Sequence, residues 1–591
     1  MAQELGRVVF SRDRYARSWS LGDRSNPMVK TPILIQLRGD PELDEYLAPF
    51  KSFTDDKIPA TITLESKLNL SPPDFSIKAP NWQTSIGHVL PPSLEEADAG
   101  EPAGIGPLLP VSWQRLSHDE ALVDPDLNPG IVVLVDAAQL AAQPERLVKA
   151  IQVLKNRFPG SLLWTPGIGG PDNAAVLCWF GVDIFDLSRS RMCSSAGAIL
   201  SVNGPRMPVE SMNESSDMEV QIEQWRQSIA SIKSHLSSGN LRSLVDKQSL
   251  NSPKLVEHLR LHDKICTDQE GLLSSHVDKE KQLDCSSHSS LNDPIVSDWC
   301  DFISNSYQAP DGLDKVLILL PCSARKPYRF SKSHGRFIRA INNNSCHEVM
   351  VTSPLGLVPR DLEEVWPASH YDIPVTGDWT SDELLRTQNT LLCLLQRHNY
   401  QLVINHSSMK LSTGDVELIE TRNGMTAGKH EALENLSNTV KEALDRLDVP
   451  NRRNNRALMD TFASVSRKQM KNDSWLDGVS VRGKPPFWRL EKDNKQIAIW
   501  SIDRRGFSFS KAAIPVLHEN KSLSKMELKA GMKWKGDIFY SNIDSFDSDI
   551  KAGNDILVYQ EGLPVGLARA VAPAWEWPTT GGRLAKSHQR I

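Results

Sequence analysis

The stretch of this sequence richest in reactive side chains is Pro321 to Ala340, PCSARKPYRFSKSHGRFIRA. It holds six cations in twenty residues, Arg325, Lys326, Arg329, Lys332, Arg336 and Arg339, and no acidic residue. Cys322 opens the stretch. Cations beside a thiol lower its pKa and raise its thiolate fraction, the form that attacks carbon electrophiles. Lys326 and His334 follow as candidate proton carriers. Tyr328 and Phe330 set aromatic faces among the charges, as a surface that stacks nucleic-acid bases does. A plainer arrangement fits the same residues: a buried structural Cys at a strand end, followed by a solvated basic loop. The residue types alone leave both readings open.

The elements that must position these groups are readable around them. KVLILL (315–320) is an apolar run of strand length that ends at Pro321-Cys322. EVMVT (348–352) is a second strand, ending at Ser353-Pro354, and QLVIN (401–405) a third, ending at Asn405-His406. Helical spacing around Phe337–Ile341 and over Leu384–Arg397 lies between them, so this is an α/β unit with a parallel sheet. Open parallel sheets gather ligands at the carboxyl ends of their strands, which here carry Cys322, Ser353 and Asn405-His406. An earlier series of βα units runs from Ile131 to Asp186, with a glycine turn at Pro166–Gly170 that reads more readily as a βα turn than as a phosphate cradle. Residues 205–300 are polar with helical patterning, and Thr267–Ser290 has the composition of a flexible link. From about residue 475, short strands with turns (VSVRG, PFWRL, QIAIWSI, DILVYQ, PVGLARAV) predict small β-rich modules.

The whole-chain numbers bound the partners. A length of 591 residues suggests about four domains. With 67 Lys+Arg against 73 Asp+Glu, the net charge of -6 excludes a uniformly cationic nucleic-acid coat but permits a local patch. Residues 91–130 are acidic and proline-rich and read as a solvated insertion that would repel a polyanion. No apolar run approaches the ~18 residues of a spanning helix, and the charged opening residues hold no signal-peptide core. A cytoplasmic location without a membrane partner is expected. No two of the eight cysteines lie within three residues of one another, so no zinc knuckle or redox pair is expected.

The spacing Pro321, Cys322, Lys326, Pro327, Tyr328, Ser331, His334 fixes seven positions in fourteen. It resembles the signature of the archaeosine synthase family, archaeal tRNA-modifying enzymes related to tRNA-guanine transglycosylases. TSPLGLVPR (352–360) and ASHYDIPVTGDW (368–379) resemble the same family, and PGIGGPDNAAVLCWFGVDIFD (166–186) resembles the late barrel strands of transglycosylases. The region from about 536 resembles a PUA domain, an RNA-binding β-barrel. The resemblance implies an α/β multidomain chain. Its parts would be a degenerate TIM-barrel-like domain (1–240), a helical connector (241–310), a Rossmann-like core (311–455), a small α+β module (456–535) and a PUA barrel (536–591). The implied activity is addition of an amine, free lysine in the family description, to the nitrile of a cyano-deazaguanine in the tRNA D-arm. A radical-SAM partner then completes archaeosine, and a homodimer is a further assembly that transglycosylase relatives suggest.

The resemblance distributes roles. Cys322, Lys326 and His334 become catalytic. Tyr328, Ser331, Ser353, His370, Tyr371, Asp372 and Asp186 bind substrate, with Asp372 the natural partner for an ammonium group. Arg325, Arg329, Lys332, Lys551, Arg569, Arg583 and Lys586 contact RNA phosphates. Addition to the nitrile could run through a Cys322 thioimidate or by direct amine attack with acid assistance. Two departures stand out. Transglycosylases use two aspartates, of which only Asp186 has a match. Their CxCxxC zinc site would fall at 206–216, which reads RMPVESMNESS without a cysteine. No metal or other cofactor is therefore expected. A base-exchanging transglycosylase and a non-catalytic tRNA-binding subunit are the competing readings.

Overall fold

The structure, a computed structural model, describes residues 7–22, 27–37, 39–51, 62–63, 108–124, 127–267, 269, 271–274, 277, 281–373, 378–452, 454–484, 487–501, 503–578 and 581–591. These form a mixed α/β protein with several sheets. The chain divides into two compact units. The first comprises Met1–Leu272, Asp537–Asn542 and Val571–Ala585; the second comprises Leu273–Gly536, Ile543–Ala570 and Lys586–Ile591. The stretch after residue 536 is thus shared between the two units.

The first unit is built on a seven-stranded parallel sheet. Four of its strands, Leu108–Val111, Ile131–Leu134, Leu162–Trp164 and Ile184–Phe185, follow one another across it, and Ile33–Gln36 continues beyond them. The helices between are amphipathic or wholly buried: Pro144–Arg157 buries Leu147, Ile151 and Leu154, and all of Ala174–Phe180 is buried. Gly181 caps the latter at φ 110, a left-handed conformation open to glycine, where a Cβ would lie 2.9 Å from the Lys155 side chain. The acidic stretch 91–130 departs from expectation in its described half. Residues 91–107 and 125–126 lie outside the described residues, but Leu108–Val111 pairs in register with Ile131–Leu134 and buries Leu109 and Val111. Burial of a four-residue apolar run outweighs the charged composition around it.

In the second unit the central strand, Val316–Pro321, lies between His347–Thr352 and Leu402–Asn405, parallel to both. Gly356–Pro359 pairs antiparallel outside the former and Glu417–Glu420 parallel outside the latter. The central strand is buried from Val316 to Leu320, which explains its unbroken apolar run: helices cover both faces of a parallel sheet. Ser381–Arg397 starts on a full capping box between Thr380 and Glu383. Lys332–Ile341 is capped by Ser331, buries His334, Phe337 and Ile341 along one face, and turns its cations outward. Beyond the core, a four-stranded antiparallel sheet spans Ser480 to Phe509, and a five-stranded sheet is built from strands between Lys525 and Arg590. Among the described residues no helix is long and apolar enough to cross a membrane.

Leu319 lies at the centre of this core with no exposed surface. Leu319→Ala should cost about 2–5 kcal/mol, read as a lower urea midpoint for the second unit.

Candidate functional site

Three parallel strand ends, at Cys322, Ser353 and Asn405-His406, meet at one edge of the second unit's sheet, as the spacing predicts. Cys322 is half-buried. Thr352, whose hydroxyl donates to the Ser353 carbonyl (3.2 Å), and Lys326 lie close enough to favour its ionised form. The expected depression of the thiol pKa does not occur. Burial raises it, and Lys326 and Thr352 offset that only in part. Proximity of cations is not enough where water is excluded. Burial likewise lowers Lys326, against Asp372, Cys322 and Cys285, which favour its charged form. The Lys326 Nζ sits 4.0 Å from the centre of the Tyr371 ring. Asp372 is exposed, on a short strand in which Tyr371–Asp372 pairs in parallel with Leu283–Asp284.

Several members of the motif serve the scaffold. His334 is fully buried and its pKa is pushed down to about 3 by burial and by Arg360. Arg360 Nη2 donates to its Nδ1 (3.1 Å), so its Nε2–H must donate to the Pro321 carbonyl (3.0 Å). A neutral ring with both nitrogens engaged positions the strand end that carries Cys322, in place of the proton-carrier role expected from sequence. Ser331 accepts from the His334 backbone N–H as a helix cap (3.2 Å), not as a substrate ligand. Tyr328 has no exposed surface and so offers no stacking face; its hydroxyl bonds to that of Tyr371, which bonds in turn to Thr352. Ser353 donates to Glu383.

Arg329 also departs from its phosphate-binding expectation. Its Nε donates to Glu363 (2.6 Å) and it pairs with Glu364 at 3.2 Å. Glu363 is fully buried. Burial alone would raise its pKa, but Arg360 and Arg329 hold it below the ordinary carboxylate range. Arg360 continues the network to Glu348 (2.7 Å). The basic block Pro321–Ala340 is therefore partly neutralised by acids that follow it in sequence. His370 is buried, with Nδ1 bonded to the Ser369 hydroxyl and Nε2 unpartnered among the described residues. Burial, with Arg505, brings its pKa down to about 4.

The profile of the Domain of unknown function (DUF5591) family matches residues 296–449, the segment that builds the site. The chain is 27% identical over 452 residues to archaeosine synthase subunit alpha of Thermoplasma acidophilum, covering 75% of this chain and 84% of that protein. It is 30% identical over 410 residues to the subunit of the same name from Methanosarcina acetivorans (62% and 65% covered). With that of Thermococcus kodakarensis it shares 24% identity over 585 residues, 93% and 94% of the two chains. The chain is thus similar over most of its length to proteins named archaeosine synthase subunit alpha. Its Pro-Cys motif thus sits at the strand-end edge of a parallel sheet, with Cys322 and Lys326 side by side and the remaining motif residues bracing them.

The other candidate residues are dispersed. Asp186 belongs to the first unit, is buried, and accepts from Trp164 Nε1 (3.1 Å), Gly167 N–H (2.9 Å) and Ser188 N–H (3.0 Å). The glycine turn is spent in the same place on packing: a Cβ on Gly169 would lie 2.5 Å from the Phe185 ring. Arg583, also of the first unit, pairs with Asp537 (3.0 Å). In the second unit Arg569 donates to Asp555 (3.1 Å), while Arg325, Lys332 and Lys586 are exposed. Lys551 lines a cavity of about 630 Å³ together with Arg467, Lys468, Lys471 and Trp366. The segment 206–216 carries no cysteine, and among the described residues no three His, Cys, Asp or Glu side chains are placed to share a metal.

Sequence reasoning missed Thr352, Glu363 and Cys285. Thr352 ends a strand beside the noted Ser353; nothing in the local pattern ties the other two to Cys322. Two outcomes test the network. Glu363→Ala should cost about 3–5 kcal/mol in denaturant unfolding, because it leaves Arg329 and Arg360 without their buried counter-charge. His334 has a folded pKa of about 3, below its ordinary 6.5, so the unfolded chain binds more protons between these values. Its contribution is complete above about pH 6.5 and is lost as pH falls toward 3, with a slope of about 1.4 kcal/mol per pH unit. His334→Gln should flatten that slope between pH 4 and 6, measured by urea unfolding.

Proposed function

We propose that this chain is a tRNA-modifying enzyme of archaeosine formation, adding an amine, with free lysine as donor, to the nitrile carbon of a cyano-deazaguanine in tRNA. The observation that carries this reading is the half-buried Cys322 thiol beside Lys326 at the carboxyl end of the central parallel strand. Burial raises the thiol and lowers Lys326, so their proton affinities converge and Lys326 can serve as the base of the nucleophile. In the first step Lys326 takes the thiol proton, sulfur bonds to the nitrile carbon, and one C≡N π bond opens. The Lys326 ammonium then protonates the nitrogen, leaving a neutral thioimidate. In the second step the donor amine adds to that carbon, the C–S bond breaks, and the proton shed by the amine returns to sulfur, giving the amidine and free thiol. Exposed Asp372, which acts on Lys326, is the ammonium partner for the donor. Base exchange gains no support from Asp186, whose carboxylate is occupied by internal donors.

The tRNA is held through exposed Arg325 and Lys332 beside the site and, beyond it, exposed Lys586 and half-buried Lys551, the latter pair on a region read as a PUA-like module. The first unit, read as a barrel-like relative of transglycosylases, adds docking surface, and a radical-SAM partner takes up the product. Incubation with nitrile-bearing tRNA and isotopically labelled lysine should yield a labelled nucleoside by mass spectrometry. Cys322→Ala should lower its rate by at least about a hundredfold; a wild-type rate would exclude the thioimidate. Lys551→Ala with Lys586→Ala should weaken tRNA binding and reduce the salt slope by about 1.8, two phosphate contacts' worth.

A further inference from the structure

Helix Lys332–Ile341 carries its charge on one side. Lys332, Arg336 and Arg339 stand at i, i+4 and i+7, so they form one stripe about 10 Å long. All three are exposed, and the helix contains no acidic residue to offset them. His334, Phe337 and Ile341 are buried on the opposite side and hold the helix against the core, so the stripe is presented as a rigid row. One end of it lies at the strand-end edge. A Cβ on Gly428 would sit 3.3 Å from Arg336 Nη1, and the neighbouring Ala427 carbonyl bonds to His406 Nε2 (2.9 Å), at the end of its strand.

The other end opens on a polar cavity. The helix stops at Asn342, at a left-handed φ of 41 that asparagine tolerates, with its N–H on the Ile338 carbonyl (2.9 Å). Asn342, Asn343, Asn344, Asn451 and Arg452 then line a cavity of about 570 Å³, together with exposed Ile338. Glu348 also lines it, but its carboxylate accepts from Arg360 (2.7 Å). The Arg452 side chain is only 8% exposed and lies 2.7 Å from Asp460, while its Nη1 has no hydrogen-bond partner among the described residues. Ser345 ties the two sides of the cavity together. Its N–H donates to Asn343 Oδ1 (2.7 Å), and its hydroxyl accepts from the Arg452 N–H (3.0 Å).

A row of cations that leads to a set of carboxamides suits one class of partner. Cations hold phosphates without regard to base sequence. A carboxamide both donates and accepts, as ribose hydroxyls and base edges do. An acidic polypeptide would call for donors alone, so the asparagines favour RNA over an acidic protein. The cavity is also of the size that encloses a small organic group. Resting on the reading of this chain as a tRNA-modifying enzyme, we propose that this face is a tRNA contact. Lys332, Arg336 and Arg339 follow the phosphates away from the Cys322 edge, and the asparagine cavity receives an unpaired nucleotide of the same strand. The substrate then lies across the outer side of this helix, held by residues that take no part in the chemistry at the sulfur.

The test is binding of an unmodified tRNA transcript to the full chain over a series of salt concentrations. Arg336→Gln with Arg339→Gln should lower the slope of log affinity against log salt by about 1.8, and weaken binding about tenfold at roughly 0.15 M salt. Arg336→Lys with Arg339→Lys should keep the wild-type slope, because released counterions count charges. Asn342→Asp with Asn451→Asp, both exposed, sets two carboxylates at the cavity and should weaken binding by about fivefold or more. An unchanged slope in the glutamine pair overturns the proposal, as does a lysine pair that behaves like the glutamine pair. Unchanged affinity in the aspartate pair overturns the role of the cavity. Weakened binding of poly-glutamate with unchanged tRNA binding assigns the face to an acidic protein, which also overturns it. Lysine transfer is assayed apart: a wild-type chain that transfers none overturns the proposed reaction, and the slope still decides this contact.

Discussion

One buried carboxylate organises the site. Glu363 has no exposed surface, yet it is ionised between Arg329 and Arg360. A charge in that position is tolerated only with its partners in place, so the segments that carry them have little freedom. Arg329 brings the loop after Cys322, and its backbone N–H donates to the same carboxylate (3.0 Å). Arg360 reaches back to Glu348 on the neighbouring strand and to His334. His334 closes the circuit on the Pro321 carbonyl, one residue before the thiol. The position of Cys322 is therefore set by an ionic network that never touches it.

The same network explains why a strongly basic stretch does not produce a thiolate at rest. Arg329 is turned toward Glu363 and Glu364, and the cations of helix Lys332–Ile341 face outward, which leaves Lys326 as the cation that acts on the sulfur. Burial outweighs that single charge. The resting site holds a thiol and not a thiolate.

Much of this architecture was legible in the sequence. The strands ending at Cys322, Ser353 and Asn405-His406 announce themselves as short apolar runs, because a strand covered on both faces has no polar side to alternate with. The helix Ser381–Arg397 follows from the helical spacing over Leu384–Arg397. The misjudged elements share one cause. Leu108–Val111 was obscured by acidic neighbours, and the basic loop by acids lying some thirty residues further along. Composition averages over a window, whereas pairing acts between residues far apart in the chain.

The sequence by itself determined the set of groups and their strand-end placement: one thiol, one lysine and an α/β sheet to present them. The roles were settled only by tertiary structure. His334 is an anchor because Arg360 and the Pro321 carbonyl take both its nitrogens, and Ser331 is a cap because a helix begins there. Thr352, unremarkable in a row of strand residues, lies against the sulfur because the strands of Cys322 and Thr352 are neighbours in the sheet. Protonation states depend on the water and charge around a group, and those are properties of the folded neighbourhood that no local pattern encodes.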